Sequence, residues 1–484
     1  MKPFFEIVDA EPFVYGMDFK NKVSFSVEKG ENPTITGSNG SGKTKLAELI
    51  CGKIIARSGK MNFSFLPEGS HYVKDKIIKA SFESAYTMAD YSNMYYQQRF
   101  SATENDWDNV QNQKMPTVED LLKAMPEKNK DFWIEKLRLD ELFYKTLIML
   151  SSGELRRFLI ASILIKKPEI IIFDNPFIGL DKKTRADLNA LFKEVAAFQQ
   201  MIFIVPEVCE IPEVSKSVIA CKKLEYFPKM PKEQFLADKE FQKFIFEDNY
   251  NGDMTLPEPY IRTERNFENA AVLNGVTIKY PKRTLFENLS WTIKKGEKWS
   301  LSGANGSGKS TLLSLITADN PRSYNMDITL FDRRRGTGES IWDIKKRIGY
   351  ISSEMHLYFR ENQPCKKVAA SGLFDTQGLF RQCSEEQFSL AEKMLKTFGI
   401  GHLAEKPFLK ISDGEQRIVL LARTMIKNPD LLILDEPLHG LDSVNRERAK
   451  TLIDSYADQE DRTLILVTHN PENVPQCVEK SFEL

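Results

Sequence analysis

The six cysteines of this chain, at 51, 209, 221, 365, 383 and 477, include no Cys-x-x-Cys pair. That excludes the common zinc clusters and a disulfide framework, and it reads as inert or buried thiols in a reducing compartment. Net charge is equally scarce. Lys and Arg number 67 against 68 Asp and Glu, a balance of −1, so no global positive field points to nucleic acid. The one tight basic run, DRRRG at 332–336, reads as a solvated loop. Long hydrophobic runs are missing too. None approaches the roughly 20 residues that span a bilayer, so any membrane role is expected to be exercised from outside it. The opening MKPFFEIVDAEPF carries acids early and reads as a first strand, not a signal peptide. What remains is a folded composition, 42% hydrophobic and 28% charged over 484 residues, with room for two or three domains.

The chain repeats itself. GSNGSGKT at 37–44 returns as GANGSGKS at 303–310, each after a KGE turn (29–31 and 295–297) and a short strand-like run. LSSGE at 150–154 returns as ISDGE at 411–415, and IIIFDNPFIGLD at 170–181 as LLILDEPLHGLD at 431–442. The first pair is offset by 266 residues and the other two by 261, so about half the chain is duplicated in register. EIIIFD and DLLILD, and likewise QQMIFIV and RTLILV, are short and almost wholly apolar, as parallel strands covered on both faces are. Strands alternating with helical spacing predict α/β architecture, a three-layer parallel core in each half. Residues 84–149 and 354–410 read as mainly helical. The expected boundaries are 1–225 for the first domain, 226–268 for a linker with one helix over 231–247, and 269–484 for the second domain.

The glycine pattern before Lys43-Thr44 and Lys309-Ser310 is that of a phosphate cradle. Glycines let backbone N–H groups turn inward, and a helix N-terminus adds partial positive charge. The pattern nominates Gly37, Asn39, Gly40, Gly42, Lys43 and Thr44, and Gly303, Asn305, Gly306, Gly308, Lys309, Ser310 and Thr311, as nucleotide-binding. The lysines would reach the β and γ phosphates, and Thr44 and Ser310 would hold magnesium. Asp174 and Asp435, each closing an apolar run, suit the same ion; a helix-capping role is the alternative. Glu436 follows Asp435 and can deprotonate an attacking water, a contribution of about 10²–10⁴ in rate. Asn175 stands in its place in the first half, and an amide takes no proton at neutral pH. His469 follows the last core run of the second half and can donate to a γ phosphate, where the first half has Glu207, which would repel one. Catalytic work is therefore expected from Glu436, His469 and Lys309, with the site of Asn175 and Glu207 degenerate.

These motifs, in this order and twice over, resemble those of the ATP-binding cassette (ABC) ATPases. More narrowly, GANGSGKSTLLSLITADNP, DITLFDRRRGTGESIWDIKKRIGYISSEMH, LLILDEPLHGLD and AYTMADYSNMYYQQRF resemble the ModF-type branch, tandem-cassette proteins named for molybdate transport or photorepair. The resemblance implies two tandem P-loop NTPase domains, each a parallel-sheet core with a helical subdomain, in a head-to-tail pseudo-dimer within one monomeric chain. It implies ATP and Mg²⁺ as cofactors, two Mg-ATP held between the halves, and hydrolysis at the second-half site. Ser151 and Gly153, and Ser412 and Gly414, would be the signature residues facing the opposite phosphate loops. Tyr280 would stack on adenine in the second half, and Tyr15 or Phe13 in the first. Two departures stand out. The usual glutamine after the RIGYI-like strand is replaced by Ser353-Glu354 and by Glu83, which puts coupling to a transport subunit in question. The signatures also lack their middle glycine, and Asp413 in that position would be unfavourable beside a phosphate unless it points away.

Three roles follow from the resemblance. The first is the ATP-binding component of a transport system, with a membrane permease or another protein as partner, in the cytoplasm or peripheral at the inner face of the cell membrane. The second is a soluble tandem-cassette translation factor. Those carry a long charged inter-cassette arm, and the mixed-charge linker here counts against it. The third is a DNA-repair cassette ATPase, whose coiled coils or zinc modules are not evident here. No specific nucleic acid is expected as a partner.

Overall fold

The computed structural model describes residues 3–15, 17–67, 73, 75–81, 116–126, 129–147, 150, 152–178, 180, 182–246, 254–260, 266–280, 283–303, 307–352, 355, 359, 361–459, 461–468 and 471–484. They form two compact units. One is built on the described residues up to 246 with Gly440–Val444, and the other on the described residues from 254 to 439 and from 445 onward. The doubled motifs therefore reflect doubled structure.

In the first unit the central sheet runs in the order Glu225–Tyr226, Ser217–Lys222, Thr34–Thr36, Gln200–Val205, Ile170–Asp174, Ile77–Ser81, with Met230–Pro231 also on Ser217–Lys222. The pairs from Ser217–Lys222 to Ile77–Ser81 are parallel. The apolar runs are strands because both faces are covered. Ile170, Ile172, Ile202, Ile204 and Ile35 feed one core. Ile171, Phe173, Met201 and Phe203 feed another. Alternate side chains leave opposite faces of a strand, so one unbroken apolar run serves two layers. Phe173 is packed by Phe192 and Phe203 at centroid distances of 4.9 and 5.6 Å.

The second unit repeats the order with Ile348–Ser352, Leu431–Asp435, Thr463–Val467, Lys298–Ser302 and Lys480–Glu483, all parallel. In both units the phosphate-loop strand and the Asp strand flank one shared neighbour. Their carboxyl ends share one edge of the sheet, which is where open α/β sheets bind ligands.

Each unit also has an antiparallel sheet that the expected all-parallel core does not include. In the first it is Val23–Val27, Phe5–Ala10 and Lys60–Phe63. In the second, the 12-residue strands Asn269–Tyr280 and Arg283–Lys294 pair with each other, and the sheet continues through Asp327–Leu330 and Arg333–Arg334. Irregular register along that hairpin interrupts the two-residue alternation by which such a strand would be recognised.

Residues 232–246, within the stretch read as a linker, fold against the first unit. They form two helices, Lys232–Ala237 and Lys239–Phe246, where a single one was expected. Asp238 divides them, its carboxylate accepting from the N–H of Phe241 at 2.8 Å. Phe235 and Ile245 are buried against Val218 and Ala220. Of the regions expected to be helical, the second unit shows Cys365–Ala370 and Glu385–Thr397, and the signature helix Asp413–Met425 follows beyond them. The first shows Val118–Lys123 and Lys130–Lys136, with the signature helix Ser152–Ile165 beyond them, while 85–100 lies outside the described residues.

Candidate functional site

Each phosphate loop runs from a strand end into an eight-residue helix, Lys43–Ile50 or Lys309–Ile316. The caps are Gly42 and Gly308, with φ of 104° and 106°, and neither helix has a side-chain cap. Left-handed backbone favours glycine, and an uncapped start leaves donors for an anion. A Cβ on Gly37 would lie 2.0 Å from the Cys221 carbonyl oxygen, so the loop has no room for a larger residue there. Lys43 is buried and its Nζ donates to the carbonyls of Gly37 and Ser38, both at 2.7 Å. Lys309 Nζ donates to Gly303 O at the same distance. Burial lowers the Lys309 ammonium pKa, while the carboxylates of Asp435 and Glu436 work the other way. The lysine of the second loop and the two acids of its strand thus meet in one field. The Tyr226 hydroxyl, whose pKa burial raises, supports the first loop by donating to Gly42 O at 3.1 Å.

Asp174 and Asp435 close their strands, and the next residue in each half turns left-handed, with φ of 50° at Asn175 and 52° at Glu436. Asn175 N–H donates to Ile204 O at 2.9 Å, and Glu436 N–H to Val467 O at 3.0 Å. The corner is therefore the same in both halves, and only the side chain differs. The Thr468 hydroxyl donates to Glu436 Oε2 at 3.5 Å. Asn175 Oδ1 is buried and has no hydrogen-bond partner among the described residues. Glu207 precedes the turn Val208–Glu210, and its Oε2 accepts from the Cys209 thiol at 3.4 Å.

The signature Ser412 caps its own helix. Its Oγ accepts from Glu415 N–H at 3.4 Å, while its own N–H donates to Glu415 Oε2 at 2.8 Å. Ser-x-x-Glu is a capping box. Gly414 lies in the first turn of that helix, and Gly153 in the first turn of Ser152–Ile165. Ser151, Asn305, Gly306, His469, Glu83, Ser353 and Glu354 lie outside the described residues. Tyr280 ends its strand, but its side chain is not described. Of the adenine-stacking alternatives in the first half, Tyr15 is 96% exposed, while Phe13 carries the Arg57 guanidinium 4.2 Å from its ring centre.

Two kinds of residue escaped the sequence reading. Arg156 and Arg417 occupy the same repeat position, buried in the signature helices. Arg417 Nη1 donates to His439 O at 2.6 Å, and Arg156 donates to the matching Ile178 O. Burial lowers their guanidinium pKa values to about 10 and about 9. Their identical offset was the signal available. The other is Lys79, on the strand beside Ile170–Asp174, whose Nζ lies 2.8 Å from Asp174 Oδ2. Nothing in either repeated motif marks it.

The two halves fit magnesium differently. In the second, Ser310 and Asp435 are hard oxygen donors of the kind that ion takes, and Lys309 feels the excess negative charge of Asp435 and Glu436. In the first, the carboxylate that would match Asp435 already carries an ion-paired ammonium.

The family described as ABC transporter matches residues 20–178 and 286–439. The chain belongs to that family. It is an ABC-type ATPase with two tandem cassettes, and the family binds ATP. The chain is 34% identical to the ABC transporter ATP-binding protein ModF of Escherichia coli strain K12 over 470 residues, 95% of this chain and 92% of that one. It is 28% identical to the uncharacterized ABC transporter ATP-binding protein C323.04 of Schizosaccharomyces pombe, over 96% of this chain and 93% of that one. Among solved structures, "Model of ribosome-bound archaeal Pelota and ABCE1" matches with a TM-score of 0.55 at 19% identity, over 96% of this chain and 74% of that one. That likeness concerns the fold. No helix among the described residues is long and apolar enough to cross a membrane.

Proposed function

We propose that this chain binds one ATP at each phosphate loop and hydrolyses only the one held by the second cassette. The energy drives a conformational change in a partner, which the likeness to ModF suggests is a component of an ABC transport system. The observation that carries the reading is the matched corner. Glu436 and Asn175 hold the same backbone position and the same left-handed turn, so they differ in chemistry and not in placement.

At the second cassette, Lys309 and the N–H groups of the loop would hold the β and γ phosphates. Ser310 and Asp435 would hold magnesium, which when bound neutralises charge on the phosphate oxygens. Glu436 would take the proton of the attacking water, and His469 would donate a hydrogen bond to the γ phosphate. Lys43, Thr44 and the first loop would bind a second nucleotide. There Asn175 can orient water but cannot accept its proton, and Glu207 adds a repelling charge.

A single-turnover assay tests this. Glu436→Gln chain loaded with two labelled ATP molecules should retain both, a loss of at least about 10²-fold in phosphate release. Prompt release of one phosphate per chain would show that the first site is alive.

A further inference from the structure

We infer that the first phosphate loop holds its nucleotide without a magnesium ion, because Lys79 supplies the positive charge that the ion supplies in the second cassette. The inference rests on the two-nucleotide reading above and concerns what accompanies the nucleotide at the first site.

The register fixes the comparison. Lys79 pairs across the sheet with Ile172, two residues before Asp174. In the second cassette Tyr350 pairs with Ile433, two residues before Asp435. Lys79 and Tyr350 are thus structural counterparts, and where one half has an aromatic ring the other has an ammonium. Both ends of the Lys79–Asp174 pair are largely covered, with side-chain exposures of 14% and 16%. A pair shielded to that degree is poorly screened by salt, and separating it would leave two charges in a partly dry site. For Asp174 to join a magnesium shell, its oxygen at 2.8 Å from Lys79 Nζ would have to admit a divalent cation next to a fixed ammonium. Like charges at that range repel.

The charged groups at the two strand ends differ in the same sense. In the second cassette burial lowers the Lys309 pKa, and the carboxylates of Asp435 and Glu436 act on it in the opposite sense. In the first cassette Lys79 stands against Asp174, with a neutral amide at Asn175. Lys79 and Asn175 are thus coherent changes. One removes the base, and the other replaces the ion that would accompany it with a covalently attached charge.

Manganese, which substitutes for magnesium and is counted by its paramagnetic resonance, tests this with the full chain. The chain is saturated with radiolabelled adenylyl imidodiphosphate and Mn²⁺, passed through a desalting column, and counted for both. The expected ratio is two nucleotides and one Mn²⁺ per chain. Asp435→Asn should remove the manganese, Asp174→Asn should leave it, and Lys79→Met should raise the count to two. In excess chelator, one nucleotide should stay bound. Two Mn²⁺ on the unaltered chain, or one still on a folded Lys79→Met chain, would overturn the role of Lys79. A nucleotide count of one would instead overturn the two-site reading itself, and it is read independently of the metal. The wild-type and Asp435→Asn counts decide the matter even if Lys79→Met does not fold.

Discussion

At the scale of single residues, the two cassettes share devices that the motifs do not include. Glu31 and Glu297 close the two KGE turns, each accepting from the backbone N–H three residues back, at 2.8 and 2.9 Å. Glu31 also takes Ser217 and Lys229, and Glu297 takes Trp299 Nε1 at 2.9 Å and Lys480. Burial works against both carboxylates, but the hydrogen bonds and lysines outweigh it and hold both pKa values below the ordinary 4.5. A depressed carboxylate stabilises the fold above its unfolded pKa, and that stability is lost as pH falls through the folded one. Glu297→Gln should therefore lower the urea midpoint at pH 7. The gap from the unaltered chain should narrow below about pH 4.5. A gap that stays constant with pH would show that the hydrogen bonds matter and the charge does not.

At the scale of elements, a buried arginine in each half ties the signature helix to the residue just before Gly-Leu-Asp, Ile178 or His439. In the second half the tie also links the corner of Glu436 to the helix capped by Ser412. Arg417→Met keeps the apolar stem but leaves the His439 carbonyl without its charged donor. A hydrogen bond of that type contributes about 1.5–3 kcal/mol. The expected result is a fall of that size in unfolding free energy by urea titration, with slower ATP turnover. An unchanged midpoint would mean that water replaces the guanidinium without cost. Legibility at this scale was uneven. The strand Leu431–Asp435 and its partners could be read because covered parallel strands are unbroken apolar runs. The hairpin Asn269–Tyr280 with Arg283–Lys294 could not, because its irregular register breaks the alternation that marks a strand. Asp238 splits the expected helix after 231 because its carboxylate caps a second one.

At the scale of the whole molecule, one chain carries both cassettes, so turnover should need no second copy. ATPase activity per chain should stay constant on dilution from micromolar to nanomolar protein, with a sedimentation mass near 55.6 kDa. Activity that falls with dilution would point to an assembly of chains. The proposed transport partner is best sought with the Glu436→Gln chain, in which both nucleotides are expected to persist.

The sequence by itself determined the duplication, the phosphate loops, the core strands and the contrast between Glu436 and Asn175. These are properties of neighbouring residues, and local spacing carries them. The tertiary structure decided which groups from distant segments share a site. Lys79 reaches Asp174 across 95 positions, and the Tyr226 hydroxyl reaches Gly42 across 184. Such meetings depend on strand order and register, which are set by how the apolar faces pack. No motif records that a lysine two residues before a strand's end will stand beside the aspartate of the next strand.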